Sequence, residues 1–101
     1  MKKLSANAIL AASLAVPDWS CRRGQLLRTY EFPSFVAAMG FVNAVARVAE
    51  RLQHHPDIDI RWNRVVLVLT THDAGGLTEL DFQLAARCDR LAARRSVQVH
   101  S

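Results

Sequence analysis

Apolar residues recur at three- and four-residue steps through the middle of the chain, at Phe35, Ala38, Val42, Val45, Ala46, Ala49 and Leu52. That spacing lays one hydrophobic stripe along a helix, and Pro33-Ser34 supplies its start, since proline suits a first turn and serine caps it. On either side the period changes to two. Residues 19–32 read as a hairpin: Trp19-Ser20-Cys21-Arg22 is extended, Arg23-Gly24 turns, and Gln25 to Phe32 carries Leu27, Tyr30 and Phe32 among its apolar positions. A second hairpin is expected between Ile58 and Thr71, where Ile58, Ile60 and Trp62 alternate and Val65 to Leu69 is wholly apolar. A short amphipathic helix capped by Ser5 comes first, with Ile9, Leu10 and Leu14 near one face, and Pro17 stops it. Gly75-Gly76 makes a loop. Thr78-Glu79-Leu80-Asp81 then resembles a capping box opening a last helix from about Leu80 to Ala93, with Leu84, Ala85, Cys88 and Leu91 on its apolar side.

The order α-β-β-α-β-β-α predicts an α+β fold: a two-layer sandwich in which a four-stranded antiparallel sheet carries helices on one face. At 101 residues the chain, 1–101, is expected to be a single domain with one core. Its site therefore belongs on the surface or at a subunit boundary. Helices on one side leave the other sheet face open, and an open apolar face or edge predicts self-association.

Composition narrows this picture without redirecting it. Hydrophobic residues make up 50 % of the chain and are spread along it, which argues against disorder. No stretch reaches the roughly 18 consecutive apolar residues of a membrane span. Met1-Lys2-Lys3 and the alanine-rich run after it imitate a secretory leader, but Ser5 and Asn7 interrupt that run, and a cut after Ala15 would remove the first helix. Cys21 and Cys88 show no metal-binding spacing, and Cys88 sits on a helical stripe as a small hydrophobe. A reducing, cytoplasmic setting is expected. The net charge of +4 invites a nucleic-acid reading, but Arg22-Arg23 and Arg94-Arg95 are short pairs and the other arginines are interspersed with acids, so the basic residues read as dispersed solvated faces.

Three of the four histidines, His54, His55 and His72, fall at element ends, two after the long helix and one after the apolar strand. The fourth, His100, lies in the tail and is not a candidate. Imidazole exchanges protons near neutral pH, so these three suit general acid and base roles, and Pro56 stiffens the chain behind the pair and draws His55 toward an extended conformation. Each also has a plainer reading as a charge partner at a helix end. Asp81 reads as a cap and Glu50 as a solvated helical residue. A three-histidine zinc site is the rival, although the spacing lacks the one-turn separation of H-E-x-x-H.

The run Glu50-Arg51-Leu52-Gln53-His54-His55-Pro56, continued through Trp62-Asn63, Thr70-Thr71-His72-Asp73 and Gly75-Gly76-Leu77-Thr78-Glu79-Leu80-Asp81, closely resembles the signature of the pterin-4a-carbinolamine dehydratases. The Pro17-Asp18-Trp19 turn, the strand ending at Phe32 and the Phe35 to Glu50 helix resemble that family too, so the similarity covers about nine tenths of the chain. It implies dehydration of 4a-hydroxytetrahydropterin to a quinonoid dihydropterin, in tetrahydrobiopterin recycling. Catalytic work would fall to His54, His55 and His72, with His54 and His72 handling protons and His55 positioning substrate. Asp81 matches a supporting acid, and Glu50, Pro56, Trp62 and Thr71 join it as substrate-binding or supporting candidates. The resemblance implies no metal or organic cofactor, a small pterin as partner, and a homodimer or homotetramer. Two positions depart from the pattern: Ile58 stands where an aromatic residue is frequent, and Trp62 where tyrosine is common. The alternative function is a non-catalytic oligomeric module of the same fold that serves assembly or transcription.

Overall fold

The computed structural model describes residues 1–100, with side chains through Arg95. Its elements run α1 (Ala6–Ser13), β1 (Ser20–Arg22), β2 (Gln25–Glu31), α2 (Phe35–Leu52), β3 (Asp57–Arg61), β4 (Arg64–Leu69), a 3-10 turn (His72–Ala74) and α3 (Glu79–His100). The four strands form one antiparallel sheet in the order β1-β2-β4-β3. This is the α+β sandwich that the hydrophobic pattern predicts.

The local chemistry accounts for the element ends. Ser5 Oγ accepts from Ala8 N–H and Ser34 Oγ accepts from Ala37 N–H, so both early helices are side-chain capped. The β1–β2 turn places Arg23 and Gly24 both at positive φ, 51° and 74°, which suits the right-handed twist of a two-residue hairpin. α3 outruns its expected end at Ala93, because the sequence after Arg94 contains no glycine or proline to stop it. His100, set aside as a tail residue, has its side chain outside the described residues.

Pleating decides which face each strand residue takes. Leu26, Tyr30, Val65, Leu67 and Leu69 point to the helices and are buried, and α2 answers with Phe41, Val45 and Val48 while α3 brings Leu84 and Cys88. Each fully buried leucine contributes roughly 1.5–3 kcal/mol. Tyr30, Phe32 and Phe41 form the aromatic centre, with ring centroids 4.8 to 6.2 Å apart. Leu27 is not in this set: it is 41 % exposed on the opposite face, because the register that buries Leu26 turns its neighbour away. In α1, Ile9 packs against the core, but Leu10 and Leu14 are exposed, since they lie about a third of a turn from the Ile9 direction.

A polar bolt crosses from sheet to helix. Asp89 Oδ1 on α3 accepts from Trp19 Nε1 at 2.9 Å, Arg28 Nη1 at 2.7 Å and the Tyr30 hydroxyl, while the Arg28 guanidinium lies 4.4 Å from the Tyr30 ring centroid. Burial first, and then the Asp89 carboxylate, push the Tyr30 hydroxyl above the ordinary tyrosine range. The face away from the helices is open, and there Leu27 pairs with Val68 beside Asp57, and Thr29 with Val66 beside Asp59. No helix among the described residues is long and apolar enough to cross a membrane.

Candidate active site

The histidine pair owes its placement to the way α2 stops. Gln53 adopts a left-handed conformation, φ 52°, and its N–H returns to Glu50 O at 3.2 Å while His54 N–H reaches back to Ala49 O at 3.0 Å. These are the two bonds of a Schellman motif, formed here without glycine. The reversal folds His54 against the end of its own helix, where it is buried, and leaves His55 exposed.

His72 arrives from the other direction. Thr71 and Gly76 exchange backbone bonds of 3.1 and 3.4 Å, closing a small loop with the 3-10 turn at its tip. Gly75 takes φ 75° there and donates its N–H to His72 O at 3.0 Å. His54, His55 and His72 consequently line one cleft of about 270 Å³, together with Gln53, Thr70, Thr71 and Asp73.

Behind the wall of this cleft lies Asp81, fully buried. His54 Nε2 meets its Oδ1 at 2.5 Å, and its Oδ2 accepts from the Thr71 hydroxyl at 2.8 Å and from Thr78 N–H at 2.9 Å. Thr71 Oγ1 spends its proton on Asp81, so the Thr78 hydroxyl, 2.9 Å away, donates to Thr71. Every neighbour donates to Asp81, which sets His54 in the tautomer with its proton on Nε2 and leaves Nδ1 as the free ring nitrogen. Asp81 is thus a cap and more than a cap: it forms the carboxylate half of a capping box on Thr78 and also orients an imidazole. His55 Nε2 contacts the Glu50 carboxylate, both groups exposed, so this pair adds little stability.

Of the residues singled out from sequence, the fold brings His54, His55, His72 and Thr71 to the cleft, with Asp81 and Glu50 each one hydrogen bond behind a histidine. Pro56 follows His55 but does not line the cleft. Trp62 does not line the cleft either. It sits at φ 53° in the β3–β4 turn, 70 % exposed, and the five residues of β3 separate it from the histidine pair, about 16 Å along the strand. Thr78 and Gln53 were missed. Thr78 was legible only as a cap, and nothing local marks Gln53 as the left-handed residue on which the pair turns. Among the described residues no group of three or more His, Cys, Asp or Glu side chains converges as a metal site.

Comparison with known proteins identifies the family and the fold. The family model described as pterin 4 alpha carbinolamine dehydratase matches residues 2–91. A relative in Chloroflexus aurantiacus, provisionally named pterin-4-alpha-carbinolamine dehydratase, is 53 % identical over 91 residues, which is 90 % of this chain and 98 % of that protein. One in Acidobacterium capsulatum, with the same provisional name, is 54 % identical over 91 residues, covering 90 % and 99 %. Among solved structures, a transcriptional coactivator/pterin dehydratase from Brucella melitensis superposes with a TM-score of 0.87 at 33 % identity, covering 90 % of this chain and 99 % of that one. A pterin dehydratase-like protein described as a RuBisCO assembly factor in the alpha-carboxysome matches with a TM-score of 0.63 at 27 % identity, covering 73 % and 86 %. On the match across residues 2–91 and identities above half, the chain belongs to the pterin 4 alpha carbinolamine dehydratase family.

Proposed function

We propose that this protein dehydrates 4a-hydroxytetrahydropterin to the quinonoid dihydropterin by histidine acid/base catalysis, in the recycling of a tetrahydropterin cofactor. The observation that carries the reading is the convergence of imidazoles from two distant segments on one cleft, one of them locked by a buried carboxylate. The reaction needs a proton delivered to the leaving hydroxyl and another taken from a ring N–H. The nitrogen lone pair then forms the C=N bond as water departs.

His54 is suited to the base role. Asp81 holds its Nε2–H, fixes the tautomer and stabilises the imidazolium that forms when Nδ1 takes the ring proton, as the carboxylate of a catalytic triad does for its histidine. His72, exposed on the facing loop, delivers the proton to the hydroxyl, and His55, aimed by Glu50, positions the pterin. The chemistry asks for no cofactor. Two free cysteines, one of them exposed, favour a reducing cytoplasm. The open sheet face around Leu27, Val66 and Val68 favours a homodimer or homotetramer.

A second reading comes from the structural neighbour described as an assembly factor: a non-catalytic oligomeric module of the same fold. A spectrophotometric dehydration assay with synthetic 4a-hydroxytetrahydropterin separates the two. The enzyme reading expects turnover that falls in His54→Ala, His55→Ala and His72→Ala; no turnover above the uncatalysed rate, or equal rates in all four proteins, would leave the module reading standing.

A further inference from the structure

Folding gathers arginines that the sequence scatters. Arg47 and Arg51 of α2 face Arg87, Arg90, Arg94 and Arg95 of α3 across a cleft of about 320 Å³, floored by small and aliphatic side chains. This cleft shares no residue with the histidine cleft. Arg47 and Arg51, and Arg90 and Arg94, stand four residues apart, and Arg87 and Arg90 three, so like charges crowd one helix face, an arrangement that costs stability.

Among the described residues no acid compensates for them. Among the described residues no carboxylate lines the cleft and none of the six arginines takes part in an ion pair. The neighbouring acids are committed elsewhere: Glu50 to His55, and Asp89 to Trp19, Arg28 and Tyr30. Guanidinium groups present paired donors that match phosphate oxygens, and a concave wall of them concentrates positive potential.

We propose that the α2–α3 cleft is a binding site for a small anion carrying several phosphate groups. Its volume falls in the range of small-molecule sites, and Arg87 to Arg95 rise about 12 Å along α3, enough for a short row of phosphates. A nucleic-acid strand fits less well, because no aromatic side chain lines the cleft to stack a base. Bound phosphate neutralises the repulsion between α2 and α3, so occupancy stabilises the packing of these helices.

The test is calorimetric titration of the full-length protein with inorganic tripolyphosphate at low salt. Compared with it are Arg47→Gln/Arg90→Gln, the single variant Arg94→Gln at an exposed position, and a control, Arg61→Gln/Arg64→Gln, at the β3–β4 turn. The expected result is one saturable site per chain, weakened at least about tenfold for each cleft guanidinium removed. The control should bind as the parent does. Tripolyphosphate should raise the melting temperature of the parent and the control but not of Arg47→Gln/Arg90→Gln, which without ligand should melt no lower than the parent. Absence of a saturable site, or equal weakening in the cleft and control variants, would overturn the proposal. So would displacement of tripolyphosphate by a single-stranded RNA oligonucleotide at lower concentration, since the face would then be a nucleic-acid surface.

Discussion

Replacing Asp81 by asparagine changes one atom of the site and tests what the buried carboxylate does. Three donors point at it, His54 Nε2 on Oδ1 and the Thr71 hydroxyl and Thr78 N–H on Oδ2. An amide has one acceptor oxygen. The two donors on the Oδ2 side hold that oxygen, so the NH2 takes the Oδ1 position and faces His54. His54 can satisfy it only by accepting at Nε2, which moves its own proton to Nδ1 and removes the lone pair the proposed mechanism uses. The loss in kcat should be on the order of 10²–10⁴, the scale of a triad whose histidine is forced into the wrong tautomer. Stability should fall less. Three charge-assisted bonds become neutral ones at a cost of about 1 kcal/mol each, so about 3 kcal/mol against a total of roughly 5–15 kcal/mol, and the variant stays folded at room temperature. Dehydration kinetics, a thermal melt and the ¹⁵N shifts of the His54 ring measure the three parts separately. A folded Asp81→Asn protein with kcat within about threefold of the parent would refute the reasoning, whatever its melting temperature.

Other outcomes follow from the same structure. Tyr30 is the only tyrosine, so tyrosinate absorbance reports on it alone. Its hydroxyl is held protonated by burial and Asp89, whereas the unfolded chain releases that proton near pH 10, so the folded state loses stability as pH rises above about 10, and Tyr30→Phe should remove that part of the alkaline loss in pH-dependent melts. Gly75→Ala meets no atom within 4 Å but must adopt φ 75°, so a cost of about 1–2 kcal/mol in denaturant titration is expected, together with a lower kcat as the His72 loop shifts. Cys21 is exposed, while burial and then Asp89 raise the Cys88 thiol to about 12, so iodoacetamide should alkylate one cysteine quickly in the native protein and the second only on unfolding.

The long helix and both hairpins could be read in the sequence because their apolar residues keep a period and because Pro33-Ser34 and Arg23-Gly24 mark the boundaries. Register could not be read where two leucines adjoin. Leu26 and Leu27 are equivalent in hydrophobicity, and Leu26 is the buried one because it shares the face of Tyr30 and Phe32. The three histidines stood out because they end elements, and element ends on one side of an antiparallel sheet meet. Trp62 became a candidate through the family resemblance alone, and the hairpin carries it to the end of β3 away from the histidine pair. The residues alone read Asp81 as a cap and only the family resemblance marks it as a supporting acid; that its partner is His54 shows once α3 is docked against the end of α2. The arginine cleft was hidden more deeply, its members lying on two helices and diluted in sequence by alanine and leucine.

The central claim is that His54 and His72 act on one pterin in one cleft, and a double-mutant cycle on kcat tests it most directly. Groups whose two proton transfers belong to one concerted step fail together. His54→Ala and His72→Ala should each lower kcat by about 10²-fold or more, and the double variant should fall little further than the worse single one. Losses that multiply in the double variant, or a rate left unchanged by either substitution, would contradict it.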